Sequence, residues 1–203
     1  MIQSRLLSSL DWLEHGFGTR HDHPDQSKMA SLRQIHSPMV VTAEQVGNCG
    51  EGDALITIRP NLDISIRTAD CLPILLADAG HRAIAAIHAG WRGTSGQIVT
   101  AALKRMTEEF GTQPSEVFAA IGPGIGKCCY HVGEEVARLF GGVSAGKIDL
   151  AEANQSQLIT AGVRAAQIEV IGRCSFCEAE EFYSFRREKE KAGRLISFIR
   201  WMN

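Results

Sequence analysis

Four apolar segments joined by short connections lie between residues 54 and 88, and they limit the folds open to this chain. Each segment is rich in β-branched or aliphatic residues and is bounded by turn residues, a pattern typical of buried strands. Short connections favour antiparallel pairing, because parallel neighbours need a crossover of a dozen or more residues. We therefore predict an antiparallel or mixed sheet with strands at 54–59, 64–69, 73–78 and 83–88.

The pattern changes downstream to a helical one. Apolar residues recur every four positions from Ile98 to Phe110, Thr94 or Ser95 can cap the start, and Gly111 can end the helix. Strands and helices are mixed without a regular alternation, and residues 141–157 carry the weakest pattern. This predicts an α/β fold, a single domain over residues 1–203 with mixed β-sheets covered by helices in an α/β/β/α layering. Further elements are predicted at 117–121, 168–171 and 195–200 as strands, and at 133–140 as a short helix.

Charge and composition argue against two classes of partner. The chain has 21 Lys and Arg against 23 Asp and Glu, so it has no broad electrostatic attraction to nucleic acid or anionic lipid. We find no apolar stretch of signal-peptide length at the N-terminus and no run of about 18 apolar residues. The six cysteines are not spaced like the framework of a small secreted domain. We therefore expect a cytoplasmic protein with reduced thiols.

Two motifs fit known sites only in part. The segment GPGIGKCCY, which starts at Gly122, lacks the first glycine and the Ser or Thr of a phosphate loop, and this favours a tight turn after a strand. Cys174 and Cys177 have the Cys-x-x-Cys spacing of metal or redox sites, but no second such pair completes a zinc ribbon. A structural or incidental role is favoured for this pair.

A cysteine and two histidines are the strongest candidates for a site. Cys71 and His88 lie 17 residues apart in otherwise apolar segments, and His36 lies in RQIHSPMV. One thiolate and two imidazoles would leave the fourth position of a tetrahedral zinc site open, as in catalytic sites. A buried cysteine, a hydrogen-bonded core histidine and a loop histidine explain the same residues individually. Spacing alone leaves both interpretations open, because no H-E-x-x-H helix joins the three residues.

Six segments together resemble the successive signatures of a known family. They are RQIHSPMV, GDALIT, RTADCLPILLAD, AAIHAGWRGT, IGPGIGKCCYHVGEEV and FYSFRREKEKAGRLISFI. They look like the motifs of the multicopper polyphenol oxidase or laccase-like domain family, which includes purine nucleoside phosphorylases and the peptidoglycan editing factor. The similarity extends from about residue 16 to residue 198.

The resemblance implies a metal site and an activity. It implies that His36, Cys71 and His88 are metal ligands, for zinc or alternatively copper. It also implies phosphate-dependent turnover of adenosine, inosine, guanosine and methylthioadenosine, with adenosine deamination as a second activity. Seven histidines are too few for a multicopper oxidase centre, so the laccase name does not carry over directly.

Several neighbouring residues have chemistry that such an activity needs. Asp70, next to Cys71, is a catalytic candidate together with Cys71 and His88. It can hold a metal ligand in place or carry protons in the reaction. Trp91 can stack on a base or pack in the core, and Asp53 can orient a ligand histidine or cap a turn. The short segment HDHPDQSKMASL and His131 depart from the family pattern, and they bear on substrate preference. Phosphate binding requires arginines, for which the candidates are Arg20, Arg67 and Arg92.

Other functions fit the same residues. Cys71 could be a nucleophile with His88 as its base and no metal, as in a cysteine hydrolase or amidase acting on peptidoglycan precursors. A copper-dependent polyphenol oxidase is a further alternative. A non-catalytic, zinc-stabilised binding module is another, but it would leave the open fourth position unexplained.

Overall fold

The computed structural model describes residues 1–202, and in that range it contains thirteen β-strands and five α-helices. The helices are α1 (Trp91–Ser95), α2 (Ile98–Phe110), α3 (Glu134–Arg138), α4 (Leu150–Thr160) and α5 (Phe185–Glu188). The strands are β1 (Leu13–Gly16), β2 (Met29–Arg33), β3 (Val40–Thr42), β4 (Gly47–Glu51), β5 (Ala54–Thr57), β6 (Asp63–Thr68), β7 (Leu72–Asp78), β8 (Ile84–Ala89), β9 (Val117–Ile121), β10 (His131–Val132), β11 (Gly146–Lys147), β12 (Ile168–Val170) and β13 (Leu195–Trp201).

Most of the strands form two large mixed sheets. The six-stranded sheet has the order β12-β9-β7-β8-β5-β3, with parallel pairs at both of its edges and antiparallel pairs in the middle. The five-stranded sheet has the order β1-β13-β6-β2-β4, and it also combines both kinds of pairing. The predicted α/β class with mixed sheets is confirmed.

Strands β7 and β8 lie at the centre and are buried on both faces. Successive side chains of a strand point to opposite faces, so an uninterrupted apolar run can serve two cores. Ile74 and Ile87 belong to the core under the helices, whereas Leu75 and Ala86 belong to the core between the two sheets. This double burial explains why these two segments are apolar throughout.

The helices cover the outer face of the six-stranded sheet. Helix α2 packs on β3, β5 and β8, and it ends at Gly111, whose φ of +75° suits glycine. Its start differs from the prediction, because Trp91–Ser95 forms a separate short helix and α2 begins at Ile98. None of the helices in residues 1–202 has the length and hydrophobicity of a transmembrane span.

Other predicted elements agree with the structure to within three residues at either end, and the strand 117–121 matches β9. The sequence pattern missed α4, which falls largely in the region predicted to be least regular. Asp149 caps this helix by accepting from the Glu152 amide. The buried Asn154 anchors it through a 2.9 Å hydrogen bond to the Thr94 hydroxyl. A helix held by a buried polar residue gives a weak apolar stripe, which is why periodicity did not reveal it.

Candidate metal centre

Antiparallel pairing of β7 with β8 brings Cys71 and His88 together. Leu72 pairs with Ala89 and Pro73 with His88, so Cys71, which directly precedes β7, lies beside the last residues of β8. The 17 residues between Cys71 and His88 therefore form a hairpin, which brings the end of β8 back beside the start of β7. His88 is almost fully buried and Cys71 is half-buried.

His36 completes the group from the loop that follows β2. Its backbone has φ = +58°, a left-handed conformation that is uncommon outside glycine but that histidine, like asparagine and aspartate, adopts more often than other residues. The His36 and His88 rings meet edge to face with their centroids 4.9 Å apart. The candidate ligand atoms of His36, Cys71 and His88 all lie within 4.8 Å of one another. The structure thus brings the three predicted ligands together.

Asp53, directly before β5, fixes both histidines. Its carboxylate lies 2.7 Å from Nδ1 of His88 and accepts the backbone amides of His36 and Ser37 at 2.9 and 2.7 Å. An ionised carboxylate only accepts hydrogen bonds, so Nδ1 of His88 carries a proton and Nε2 is the ring nitrogen left to bind a metal ion. Both sequence interpretations of Asp53 hold, because it orients a histidine and also caps a turn.

The charges in this group are strongly coupled. Burial opposes the charge of Asp53, but the hydrogen bonds from His88 and Ser37 lower its pKa to about 2. Burial likewise opposes the Cys71 thiolate, but hydrogen bonds from His36 and His88 lower the pKa of that thiol to about 7. Burial favours neutral His88, whereas its hydrogen bonds to Asp53 and Cys71 raise its pKa to about 9.

This donor set fits a transition metal ion. A thiolate and two imidazoles are preferred zinc ligands, and a carboxylate behind one imidazole is the usual outer partner. Gly90 leaves the space that the group needs, because a Cβ at this position would lie 2.8 Å from the Cys71 sulfur. Three protein donors also leave a fourth position for another ligand.

The three residues open into a cavity of about 820 Å³. Of the other predicted site residues, Arg67, Asp70, Trp91 and Arg92 line this cavity. The Arg92 guanidinium lies 4.2 Å from the centre of the Trp91 ring. Trp91 also packs against the core under the helices, and stacking of a base on its cavity side stays a prediction.

Arg20 lies outside the lining of this cavity, in contrast to the sequence prediction. Its guanidinium donates to the carbonyl of Ala179 and lies 3.4 Å from a carboxylate oxygen of Glu188. It also lies 4.7 Å from the centre of the Tyr183 ring. Through these contacts Arg20 links the N-terminal segment to residues 179–188.

Asp70 lines the cavity, but both of its oxygens are engaged. One accepts the Ser175 hydroxyl at 2.7 Å and the other accepts the Arg186 amide at 2.6 Å. Asp70 therefore ties two distant loops to the start of β7. The predicted role in proton transfer would have to compete with these two hydrogen bonds.

Sequence reasoning missed several cavity residues. Tyr130 is buried, and burial together with the nearby Cys71 charge raises its pKa to about 12, so it stays a neutral phenol. The Arg186 guanidinium lies 5.4 Å from the Tyr130 ring centre. Both residues lie in segments that the family resemblance had marked, but the residue pattern gave them no role. Further cavity residues are Gln34, Ile125, Phe185, Lys189, Ala192 and Arg194.

Fold and site together define an α/β domain in which a cysteine and two histidines, a candidate metal-binding group, lie at the base of an arginine-rich cavity. A sequence model of the family described as multi-copper polyphenol oxidoreductase laccase matches residues 18–202. The chain belongs to this family, which confirms the resemblance seen in its motifs.

Three relatives place the chain within the family. A purine nucleoside phosphorylase of Bacteroides thetaiotaomicron is 45% identical over 161 residues, which are 72% of this chain and 60% of the relative. An adenosine deaminase, RL5, of an unknown prokaryotic organism is 38% identical over 72% of this chain and 61% of its own length. The chain therefore spans about 60% of these relatives. The crystal structure of YlmD from Geobacillus stearothermophilus superposes with a TM-score of 0.89 at 25% identity, covering 98% of this chain and 94% of that one.

Proposed function

We propose that this chain is a zinc-dependent purine nucleoside phosphorylase that accepts adenosine, inosine, guanosine and methylthioadenosine and also deaminates adenosine. The observation that carries the proposal is the junction of a three-donor metal-binding group with a cavity lined by unpaired cations. Relatives named purine nucleoside phosphorylase and adenosine deaminase support both activities. The six free thiols suit the reducing cytoplasm.

The cations of the cavity suit phosphate. Five cationic side chains line the cavity, and within residues 1–202 none of them forms a salt bridge with a carboxylate. The one acidic residue in the lining, Asp70, is held by Ser175 and the Arg186 amide. Guanidinium groups bind phosphate through paired, charge-assisted hydrogen bonds. The cavity therefore offers a net positive environment to an anion, supplied by Arg67, Arg92, Arg186, Lys189 and Arg194.

Aromatic and apolar side chains provide a surface for the purine. Trp91, Tyr130 and Phe185 lie in the same lining as the cations. Aromatic rings stack on nucleobases with little sequence preference, which suits several purines. The neutral Tyr130 phenol can donate a hydrogen bond to the base or the ribose.

His36, Cys71 and His88 would hold the zinc ion, and Asp53 keeps His88 in the tautomer that this requires. When bound, zinc would supply Lewis-acid chemistry and lower the pKa of water towards neutrality. The arginines would bind phosphate next to the ribose, and the aromatic wall would orient the departing base. Copper is the alternative ion for the same donor set.

One observation favours a second candidate. The Cys71 sulfur and a ring nitrogen of His88 lie within 4.8 Å of each other, His88 is hydrogen-bonded to Asp53 at 2.7 Å, and the pKa of the Cys71 thiol is lowered to about 7. This is the arrangement of a cysteine nucleophile with a histidine base and an orienting carboxylate. A cysteine hydrolase or amidase acting on peptidoglycan precursors would therefore work without metal.

Cys71→Ala separates the two candidates. The metal-dependent account expects this variant to lose both bound zinc and release of free base from the nucleosides. A cysteine hydrolase would lose activity while the metal content stayed unchanged. Base release is measured by chromatography with and without phosphate, and zinc by plasma mass spectrometry on protein purified without chelator.

Arg92→Ala tests the anion site. We expect the KM for phosphate to rise at least ten-fold with zinc content unchanged, because one charge-assisted interaction contributes about 1.5–3 kcal/mol. Arg164→Ala is the matched control, since Arg164 is exposed and lies outside the cavity lining. An unchanged KM for phosphate in Arg92→Ala, Arg67→Ala and Arg186→Ala alike would reject the cavity as the phosphate site.

A further inference from the structure

The second notable group of metal-ligand side chains lies away from the cavity floor and consists only of cysteines. We propose that Cys128, Cys129, Cys174 and Cys177 bind a structural zinc ion through four thiolates. The four sulfur atoms all lie within 4.8 Å of one another. This site is separate from the His36, Cys71 and His88 group, and it does not depend on the function proposed above.

Strand topology brings the four cysteines together. Strands β9 and β12 are parallel neighbours, so the loops that follow them leave the sheet at the same edge. Cys128 and Cys129 lie in the loop after β9, and Cys174 and Cys177 lie in the loop after β12. The sequence shows one Cys-x-x-Cys pair without a second. The other half of the site is Cys128 and Cys129, whose adjacent positions do not match the spacing of a known metal-binding motif.

The distances between sulfur atoms suit a tetrahedral ion. Four thiolates at the usual Zn–S distance of about 2.3 Å lie about 3.8 Å apart. The Cys177 sulfur lies 3.7 Å from that of Cys128 and 3.2 Å from that of Cys129. The Gly126 amide also donates to the Cys174 sulfur at 3.3 Å, as backbone amides do in thiolate metal sites. Small adjustments of the thiols would admit the ion.

The surroundings also favour an ion. Cys128 and Cys177 are exposed, Cys129 is half-buried and only Cys174 is buried. Four thiolates so close together would repel one another, and a divalent cation between them removes that repulsion. Four sulfur donors with no open position are typical of a structural zinc site rather than a catalytic one.

Such an ion would brace one wall of the cavity. The loop after β9 contributes Ile125 and Tyr130 to the lining. The loop after β12 contains Ser175, whose hydroxyl donates to Asp70 of the lining at 2.7 Å. Two backbone hydrogen bonds also join the two loops, from the Ser175 amide to the Gly124 carbonyl at 2.9 Å and from the Gly124 amide to the Arg173 carbonyl at 3.3 Å. We therefore expect loss of this zinc to lower the melting temperature.

Zinc content tests the proposal. Full-length protein expressed with added zinc and purified without chelator is measured by plasma mass spectrometry. The double variant Cys174→Ser/Cys177→Ser should contain one zinc ion per chain fewer than the wild type. Cys49→Ser is the matched control, because Cys49 lies on β4 outside both metal-ligand groups, and it should leave the content unchanged.

A cobalt(II) spectrum provides a second readout. Tetrahedral thiolate cobalt absorbs strongly in the visible, and this absorption should be largely lost in the double variant and in the milder Cys128→Ser. It should persist in Cys71→Ser, which removes a ligand of the other site. Since the two sites are tested by different variants, absence of zinc at the four cysteines would not affect the proposed function, and failure of the proposed function would not affect the four-cysteine site.

Three results would overturn the proposal. The first is equal zinc content in the wild type and in a double variant whose circular dichroism shows that it is folded. The second is a native Cys129–Cys177 disulfide with no ion, found by mass spectrometry after anaerobic lysis. The third is stoichiometric iron or copper in place of zinc at this group.

Discussion

Asp53 accepts a 2.7 Å hydrogen bond from Nδ1 of His88 and, through the same carboxylate, the backbone amide of His36. One buried side chain therefore positions two of the three candidate metal ligands, which come from different parts of the fold. Removal of the carboxylate charge should loosen the metal group without changing any of the three donors.

Asp53→Asn is expected to weaken zinc binding by about 10–100-fold, the usual cost of losing an outer-shell carboxylate. Competition with a chelator of known affinity measures the change. Ser37→Ala is the control, because it removes the 2.9 Å hydroxyl contact to Asp53 and a 3.2 Å contact from the Met39 amide but leaves the histidine contacts of Asp53 in place. Equal zinc affinity in Asp53→Asn and the wild type would show that His88 does not need this partner.

Gly90→Ala should reduce metal binding by steric means alone. The backbone at Gly90 has φ = −81°, which alanine adopts without strain, but the new Cβ would lie 2.8 Å from the Cys71 sulfur and 3.5 Å from His36 Cδ2. Gly93→Ala is the matched control three residues along, because its nearest neighbours are at 3.4 Å or more. Zinc content of the two variants is compared, and similar losses would reject the steric argument.

Asp70→Asn tests whether Asp70 acts as a tether or as a proton carrier. Asparagine tolerates the φ of +88° at this position, but its amide cannot accept from both Ser175 and Arg186. As a tether, it should lower the melting temperature and raise KM while kcat falls less than ten-fold and keeps its pH profile. A kcat loss of a hundred-fold or more at unchanged melting temperature would instead assign proton transfer to Asp70.

His15 should make the fold sensitive to acid. Burial lowers the pKa of His15 below 6.5, and its Nε2 accepts the Ser4 amide at 2.9 Å. The unfolded chain binds this proton more readily, so the free energy of unfolding should fall as pH drops below about 6.5. His15→Gln should flatten that part of the stability profile, whereas the exposed His23→Gln should not. Urea unfolding at a series of pH values measures both, and parallel profiles in wild type and His15→Gln would contradict the prediction.

The strands and the three candidate ligands could be predicted from the sequence, because Cys71 and His88 are polar residues in apolar segments and the segment motifs are distinctive. The direction in which a long side chain points could not be predicted from the sequence. Arg20 and Arg92 are both arginines near glycine-rich motifs, yet one guanidinium joins surface loops and the other faces the cavity. Helix α4 and the four-cysteine group were missed because buried polar anchoring and parallel strand topology leave no local pattern.

Nucleoside cleavage by this protein should depend on phosphate. Zinc-replete protein is incubated with inosine in buffers that differ only in phosphate, and hypoxanthine and ribose 1-phosphate are quantified by chromatography. We predict equal amounts of both products with phosphate, almost none without it, and loss of turnover in Cys71→Ala. Absence of cleavage of inosine, adenosine, guanosine and methylthioadenosine by zinc-replete protein in phosphate would contradict it.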